Sequence, residues 1–179
     1  AAFTAPAAAL AAALLMLLVA ALTPFGGPWP VAAAVGYALF AGLAVARPLK
    51  GPLDWLVPPV LRAAEYGTVL LLAARSDVNG ALPAAFGLVA AVAYHHYDTV
   101  YRIRGGTGAP PHRLVLAIGG HEGRILMVAA AAAVLHDTDF TIALTALAAA
   151  LALAVLVESI RFWGSSGAPA VHDETGEPA

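Results

Sequence analysis

No cysteine occurs anywhere in the 179 residues, so disulfides, Cys-ligated zinc and thiol catalysis are excluded together. Charge is scarce as well. Charged residues make up 11% of the chain, against a soluble norm of roughly 25%. Lys50 is the sole lysine among the basic residues, the formal net charge is -2, and no run of Lys and Arg forms a basic patch, which sets nucleic acid aside. What is abundant is apolar: 61% of residues are hydrophobic and the mean hydropathy is +0.82. A soluble domain of this size could not bury so much apolar surface. The expectation is an all-α, polytopic integral membrane helix bundle of about six transmembrane helices, with little room for a separate catalytic domain. Alanine-rich, lysine-poor usage points to a GC-rich bacterial genome and hence to a multi-pass protein of the bacterial inner (plasma) membrane.

Six apolar runs support that count. Phe3–Leu22 lacks the basic flank of a signal peptide and is followed by further hydrophobic segments, so it reads as a first span that stops at Thr23-Pro24-Phe25-Gly26-Gly27-Pro28. Val31–Ala46 is short against the ~20 residues of a span and must tilt or thin the bilayer. Leu53–Ala74 contains Pro58-Pro59, Arg62 and Glu65, and is expected to kink and to face protein, not lipid. Ala81–Arg104 ends in Tyr94-His95-His96-Tyr97-Asp98-Thr99-Val100-Tyr101-Arg102, a polar end for a membrane surface. An interfacial stretch over residues 112–120 leads to Glu122–Leu135, and Phe140–Phe162 is the last run. Residues 1–163 thus form one transmembrane domain. Residues 164–179, rich in Ser, Gly, Pro and acid, read as a disordered cytoplasmic tail.

Six spans place Arg47, Lys50, Arg102, Arg104, Arg113, Arg124 and Arg161 on one side with both termini, and leave Arg75 on the other with Asp77, Asp137 and Asp139. Basic residues of short loops stay cytoplasmic, so both ends are expected there.

The candidate polar site consists of Asp54, Arg62, Glu65, His95, Asp98 and Arg102. His95, Asp98, Thr99 and Arg102 share one face of the fourth helix, with Tyr94 and Tyr101 flanking it, whereas His96 and Tyr97 point elsewhere. An imidazole, a carboxylate and a guanidinium on one face can hold a phosphate, a proton or a metal. A solvated helix end among interfacial aromatics has the same appearance. Arg62 and Glu65, three residues apart, can pair along the third helix as a purely structural pair. Asp54 and Glu122 sit where a helix dipole favours a carboxylate without any function. Arg47, Arg113, His121, Glu122 and Arg124 converge on the basic side and suit a phosphate or an anionic lipid head group, although positive-inside anchoring accounts for them equally.

This layout resembles the CDP-alcohol phosphotransferases, six-helix membrane enzymes with cytoplasmic termini that attach alcohols to a CDP-linked phosphatidyl group. The resemblance lies in Tyr94–Arg104, in Gly120-His121-Glu122-Gly123-Arg124-Ile125-Leu126, and in Val157-Glu158-Ser159-Ile160-Arg161-Phe162-Trp163. The chain is also similar to an uncharacterised actinobacterial membrane domain found fused to such enzymes. The family's diagnostic signature holds four metal-binding aspartates around a glycine and an Ala-Arg pair. Here Gly42, Ala46 and Arg47 echo that glycine and pair with one residue too many between them, and Asp54 is the one acid carried over. A divalent site needs several oxygen ligands. The resemblance therefore implies the fold without its metal centre: no resident metal, with Mg²⁺ or Mn²⁺ only if the divergent site is active, and no assigned catalytic residue.

The expected function is a non-catalytic or divergent companion in bacterial phospholipid or polyol-phosphate head-group metabolism. Its expected partners are membrane lipids, a fused or associated transferase and a second copy of the chain. Two alternatives stand beside it. One is an active membrane transferase or transporter on Arg62, Glu65, His95, Asp98, Arg102 and Glu122; the other is a structural dimerisation module, since Ala and Gly let membrane helices pack closely.

Overall fold

Prolines and glycines divide the chain where the apolar runs stop. A computed structural model describes residues 4–106, 108 and 119–165. Among the described residues there are six α-helices, one short 3-10 helix and no β-strand. The helices are α1 (Thr4–Leu22), α2 (Trp29–Val45), α3 (Val57–Arg75), α4 (Ala81–Arg104), α5 (His121–Val134) and α6 (Asp137–Ser165), with the 3-10 turn at Asp54–Leu56 before α3. Among the described residues three stretches are long and apolar enough to cross a membrane: Thr4–Leu22, Asp54–Arg75 and Asp137–Ser165. By comparison α2 has 17 residues and α5 has 14, while α4 closes on its polar run.

Pro58 and Pro59 lie in the first turn of α3, where backbone N–H groups have no intrahelical acceptor. They start the helix and do not interrupt it: the interior break expected in Leu53–Ala74 does not occur, and a 3-10 turn at Asp54–Leu56 precedes a continuous Val57–Arg75. The last turn of α6 takes in Gly164 and Ser165, the first two residues of the expected tail; the rest of that tail lies outside the described residues, as do residues 112–118 of the expected interfacial stretch.

The helices alternate in direction. At one end, Arg75 donates to the Thr23 carbonyl (3.1 Å), Thr141 Oγ1 to the Asn79 carbonyl (3.3 Å), and the Phe25 and Phe140 rings meet edge to face at 5.1 Å. Gly80 precedes α4 there with φ +82, and a Cβ on it would lie 3.3 Å from Thr141 Cγ2. The other end carries Arg47, Lys50, Arg102, Arg104, Arg124 and Arg161.

Small residues set the packing. α1 lies against α2 and α3, α2 against α5, α3 against α4 and α5, and α4 against α6, while α5 meets α6 only sparsely. α1 buries Ala9, Ala12, Ala13, Met16 and Ala20 and turns Leu10, Leu14, Leu18 and Leu22 outward. Its Leu15 and Leu17 press on glycines: a Cβ at Gly36 would sit 2.7 Å from Leu15 Cδ2, and one at Gly67 2.8 Å from Leu17 Cδ2. Large apolar side chains also face outward from α2 (Leu39, Leu43) and α6 (Ile142, Leu153, Ile160), whereas Glu65, Thr68, His95, Asp98, Arg102, Arg124 and Ser159 are buried. Interior polar groups under an apolar exterior invert the soluble arrangement.

Candidate functional site

The cavity at the basic end follows from a difference in helix length. The first residue of α5, His121, meets Tyr37 of α2 (Oη to Nδ1, 2.8 Å), and α2 continues to Val45, about 12 Å further at 1.5 Å per residue. The space above the start of α5 is a cavity of about 230 Å³. Its apolar lining is Val45, Leu49, Val57, Pro58 and Leu61; its polar lining is Arg62, Glu65, His96 and His121. Val57, Leu61 and Glu65, together with Pro58 and Arg62, recur at helical spacing, so one face of α3 forms a wall.

At the inner edge Glu65, 2% exposed, is held by Arg124 of α5. Arg124 Nε bonds Glu65 Oε1, Nη2 bonds Oε2 (3.1 Å), and Nη1 donates to the Gly119 carbonyl. The pair is neutral and fully engaged, as burial of two charges requires. Arg62 is different. It lines the same cavity half-buried, and among the described residues no hydrogen bond or ion pair engages its guanidinium. The expected Arg62–Glu65 pair is not formed, because Arg124 reaches the carboxylate from the neighbouring helix.

Two tyrosines orient two imidazoles on the cavity wall. His96 Nδ1 lies 2.9 Å from Tyr66 Oη, and His121 Nδ1 lies 2.8 Å from Tyr37 Oη. Tyr37 Oη also donates to the Leu61 carbonyl at 3.3 Å. Glu122 Oε2 stands 3.2 Å from the same Nδ1 of His121.

A second cluster joins α4 to α6. Arg102, 0% exposed, places Nη1 and Nη2 on Glu158 (2.8 and 2.6 Å) and Nη2 also on Asp98 Oδ2 (2.6 Å). Trp163 Nε1 and Ser159 Oγ donate to Asp98 Oδ1 at 2.9 and 3.2 Å. The Arg102 guanidinium stacks 3.9 Å from the Phe162 ring centroid. Among the described residues these two carboxylates and one guanidinium carry a formal charge of −1.

The sequence-derived candidates thus separate into two groups. Arg62, Glu65, His121 and Arg124 meet around the cavity, whereas Asp98 and Arg102 belong to the α4–α6 cluster. His95 is buried on the same face of α4, and Thr99 Oγ1 is bonded to its carbonyl (2.8 Å). Asp54 accepts the Gly51 N–H (2.8 Å) and closes its own turn. Arg47 is exposed past the end of α2, Glu122 is exposed beside His121, and Arg113 lies outside the described residues. Tyr37, Tyr66, His96, Glu158 and Trp163 escaped sequence reasoning as site residues. Glu158 had a signal, a lone acid late in a long apolar run; Tyr37, inside an uncharged run, had none.

The divalent metal of the resembled transferases does not fit these residues. Asp54 accepts the Gly51 N–H within its own turn, and among the described residues no three His, Asp or Glu side chains converge to hold a metal ion.

A family model described as "Family of unknown function (DUF5941)" matches residues 1–179, and the chain belongs to that family. No curated protein and no solved structure matches it.

Proposed function

For this member of the DUF5941 family we propose a six-span membrane domain that holds a phosphorylated head group in the cavity at its basic, cytoplasmic end. It serves as a non-catalytic companion to bacterial head-group metabolism. The membrane reading is supported by three helices of spanning length, by outward-facing leucines on α1, and by buried charges that are all engaged in pairs or clusters at one end. The gathering of Arg47, Lys50, Arg102, Arg104 and Arg161 at one end supports a cytoplasmic location for that end by the positive-inside rule.

The observation that carries the head-group reading is Arg62, a guanidinium facing a cavity with no carboxylate bound to it among the described residues. Arg binds phosphate through a planar fork of donors, which makes an unengaged one in a pocket a phosphate subsite. The cavity opens beside the N-terminus of α5, whose free N–H groups add positive potential. At about 230 Å³ it falls below the ~300–1,000 Å³ of ordinary ligand sites, which fits a head group better than a nucleotide. The absence of a converging acid set among the described residues supports a binding role over the transfer chemistry of the resembled enzymes.

Titration of the protein in phosphatidylcholine nanodiscs with propyl phosphate, followed by ³¹P NMR, tests this. Saturable binding is expected for the native chain and for Lys50→Met, and its loss for Arg62→Met. A native protein that does not saturate, or an Arg62→Met variant that binds as well, refutes the reading. The two imidazoles on the same wall favour a second reading, an active transferase on a site other than the aspartate signature.

A further inference from the structure

The surroundings of His121 fix which of its ring nitrogens carries the proton. Nδ1 faces two groups, Tyr37 Oη at 2.8 Å and Glu122 Oε2 at 3.2 Å. The Tyr37 hydroxyl can donate to the Leu61 carbonyl at 3.3 Å, which leaves its oxygen free to accept from the ring, so the carboxylate is the neighbour that decides the tautomer. An ionised carboxylate can only accept. With a carboxylate oxygen facing it, Nδ1 carries the hydrogen, the Tyr37 oxygen can share it, and in the neutral ring Nε2 keeps its lone pair. This carboxylate-and-hydroxyl support on one nitrogen is the device by which proteins set the tautomer of a working imidazole. With Nδ1 engaged, Nε2 is the ring nitrogen open to the cavity that His121 lines. His96 has one hydroxyl partner on Nδ1, Tyr66, which can either donate or accept.

The geometry points to His121 Nε2 as the hydrogen-bond acceptor of the cavity, so that its ligand carries a hydroxyl group beside the anionic oxygens held by Arg62. This rests on the head-group reading above. The cavity combines a cation, an acceptor and an apolar wall of Val45, Leu49 and Leu61. A plain phosphate satisfies the first of these, and a phosphate ester with a nearby hydroxyl on a short carbon chain satisfies all three. A site built to receive a hydroxyl discriminates against the analogue lacking it, because the acceptor is then left dry and unpaired.

The probes are 2-hydroxyethyl phosphate and its near-isostere propyl phosphate, titrated against the full chain in phosphatidylcholine nanodiscs. The native protein is expected to prefer the hydroxyl ester by at least tenfold. In His121→Asn, whose amide can still reach Tyr37 from the Nδ1 position, the preference should vanish and the two esters should bind with one affinity, which also reports that the cavity has folded. His121→Gln, which can present a carbonyl oxygen near the Nε2 position, should keep part of it. The ¹⁵N shift of His121 Nε2 should be of the unprotonated, pyridine type in the ligand-free protein. Equal affinity for the two esters in the native chain, or a protonated Nε2 in the neutral ring, overturns the inference and leaves the head-group reading standing. Failure of both esters to bind overturns both. Where the preference holds, adding phosphatidylglycerol to the nanodiscs identifies the source: competition assigns the site to a lipid head group, and its absence assigns it to a soluble ester.

Discussion

Arg124 lays Nε and Nη2 on the two carboxylate oxygens of Glu65, 59 residues earlier in the chain, and its Nη1 on the Gly119 carbonyl. This contact ties α3 to α5 at the inner edge of the cavity. It also closes the approach to α5, since Gly119 (φ +73) turns the backbone immediately before the helix. Both side chains are almost fully buried, so each charge depends on the other for the interactions that water would have supplied.

Glu65→Leu or Arg124→Met alone should therefore destabilise the bundle by about 3–5 kcal/mol, the cost of leaving one charge buried without its partner. The double variant should recover most of that loss, because the desolvation of both charges is removed together. Unfolding of the purified protein with increasing SDS in mixed micelles gives the three values. Additive losses in the double variant would show that the two residues act separately.

The α4–α6 cluster predicts an asymmetry of a different kind. Among the described residues Asp98, Arg102 and Glu158 sum to −1, so removing an acid relieves repulsion between these groups while removing the base concentrates it. Glu158→Gln should cost under about 1 kcal/mol, since an amide oxygen still accepts from Arg102. Arg102→Gln should cost more than about 3 kcal/mol, leaving two carboxylates in contact. Trp163→Phe, which removes one donor from Asp98 Oδ1, should fall between, at about 1.5–3 kcal/mol for a hydrogen bond to a charged group. The same unfolding measurement ranks them, and a Glu158→Gln loss equal to that of Arg102→Gln would contradict the charge argument.

Helix limits were legible because Pro and Gly punctuate apolar runs: α4 begins at Ala81 and ends at Arg104, where the sequence pattern placed it. That His95, Asp98 and Arg102 share one face of α4 was legible from helical spacing, but their burial was not, because a solvated helix end has the same pattern. Their partners were not. Arg62 was the nearest cation to Glu65 in sequence, and the i, i+3 rule favours it, but Arg124 reaches the acid from a different helix. Glu158 lies 56 residues from Arg102, and which of the α6 faces meets α4 is decided by packing that no local period encodes. Tyr37 sits among alanines and leucines, and its role appears only once α5 is seen to begin beside it.

The absence of native cysteine makes topology directly measurable. Lys50 and Asn79 are exposed and lie at opposite ends of α3. In cells, Lys50→Cys should resist a membrane-impermeant maleimide until the membrane is opened, and Asn79→Cys should react from outside. The warrant is the concentration of Arg and Lys at the Lys50 end. Labelling of Lys50→Cys in intact cells would invert the orientation and move the cavity to the outer face.

Arg62 and Arg124 form the sharpest contrast, since Arg62 lines the cavity and Arg124 holds Glu65 of the same lining, yet only Arg124 has a carboxylate partner among the described residues. Arg124 is engaged on three sides by groups of its own chain. Arg62 has no such partner among the described residues and stands half-buried against Val57, Pro58 and Leu61. A cation kept partly out of water without a carboxylate gains no ion-pair energy from the fold, which makes it a candidate for binding an anion. Arg62→Met, similar in length and apolar, should leave unfolding unchanged within about 1 kcal/mol or raise stability, and yet abolish saturable binding of propyl phosphate. Arg62→Lys keeps the charge and loses the planar fork, so it should bind more weakly than the native chain and more tightly than the methionine variant. If Arg62→Met instead unfolds the protein as Arg124→Met does, Arg62 is a structural cation and the cavity loses its phosphate subsite.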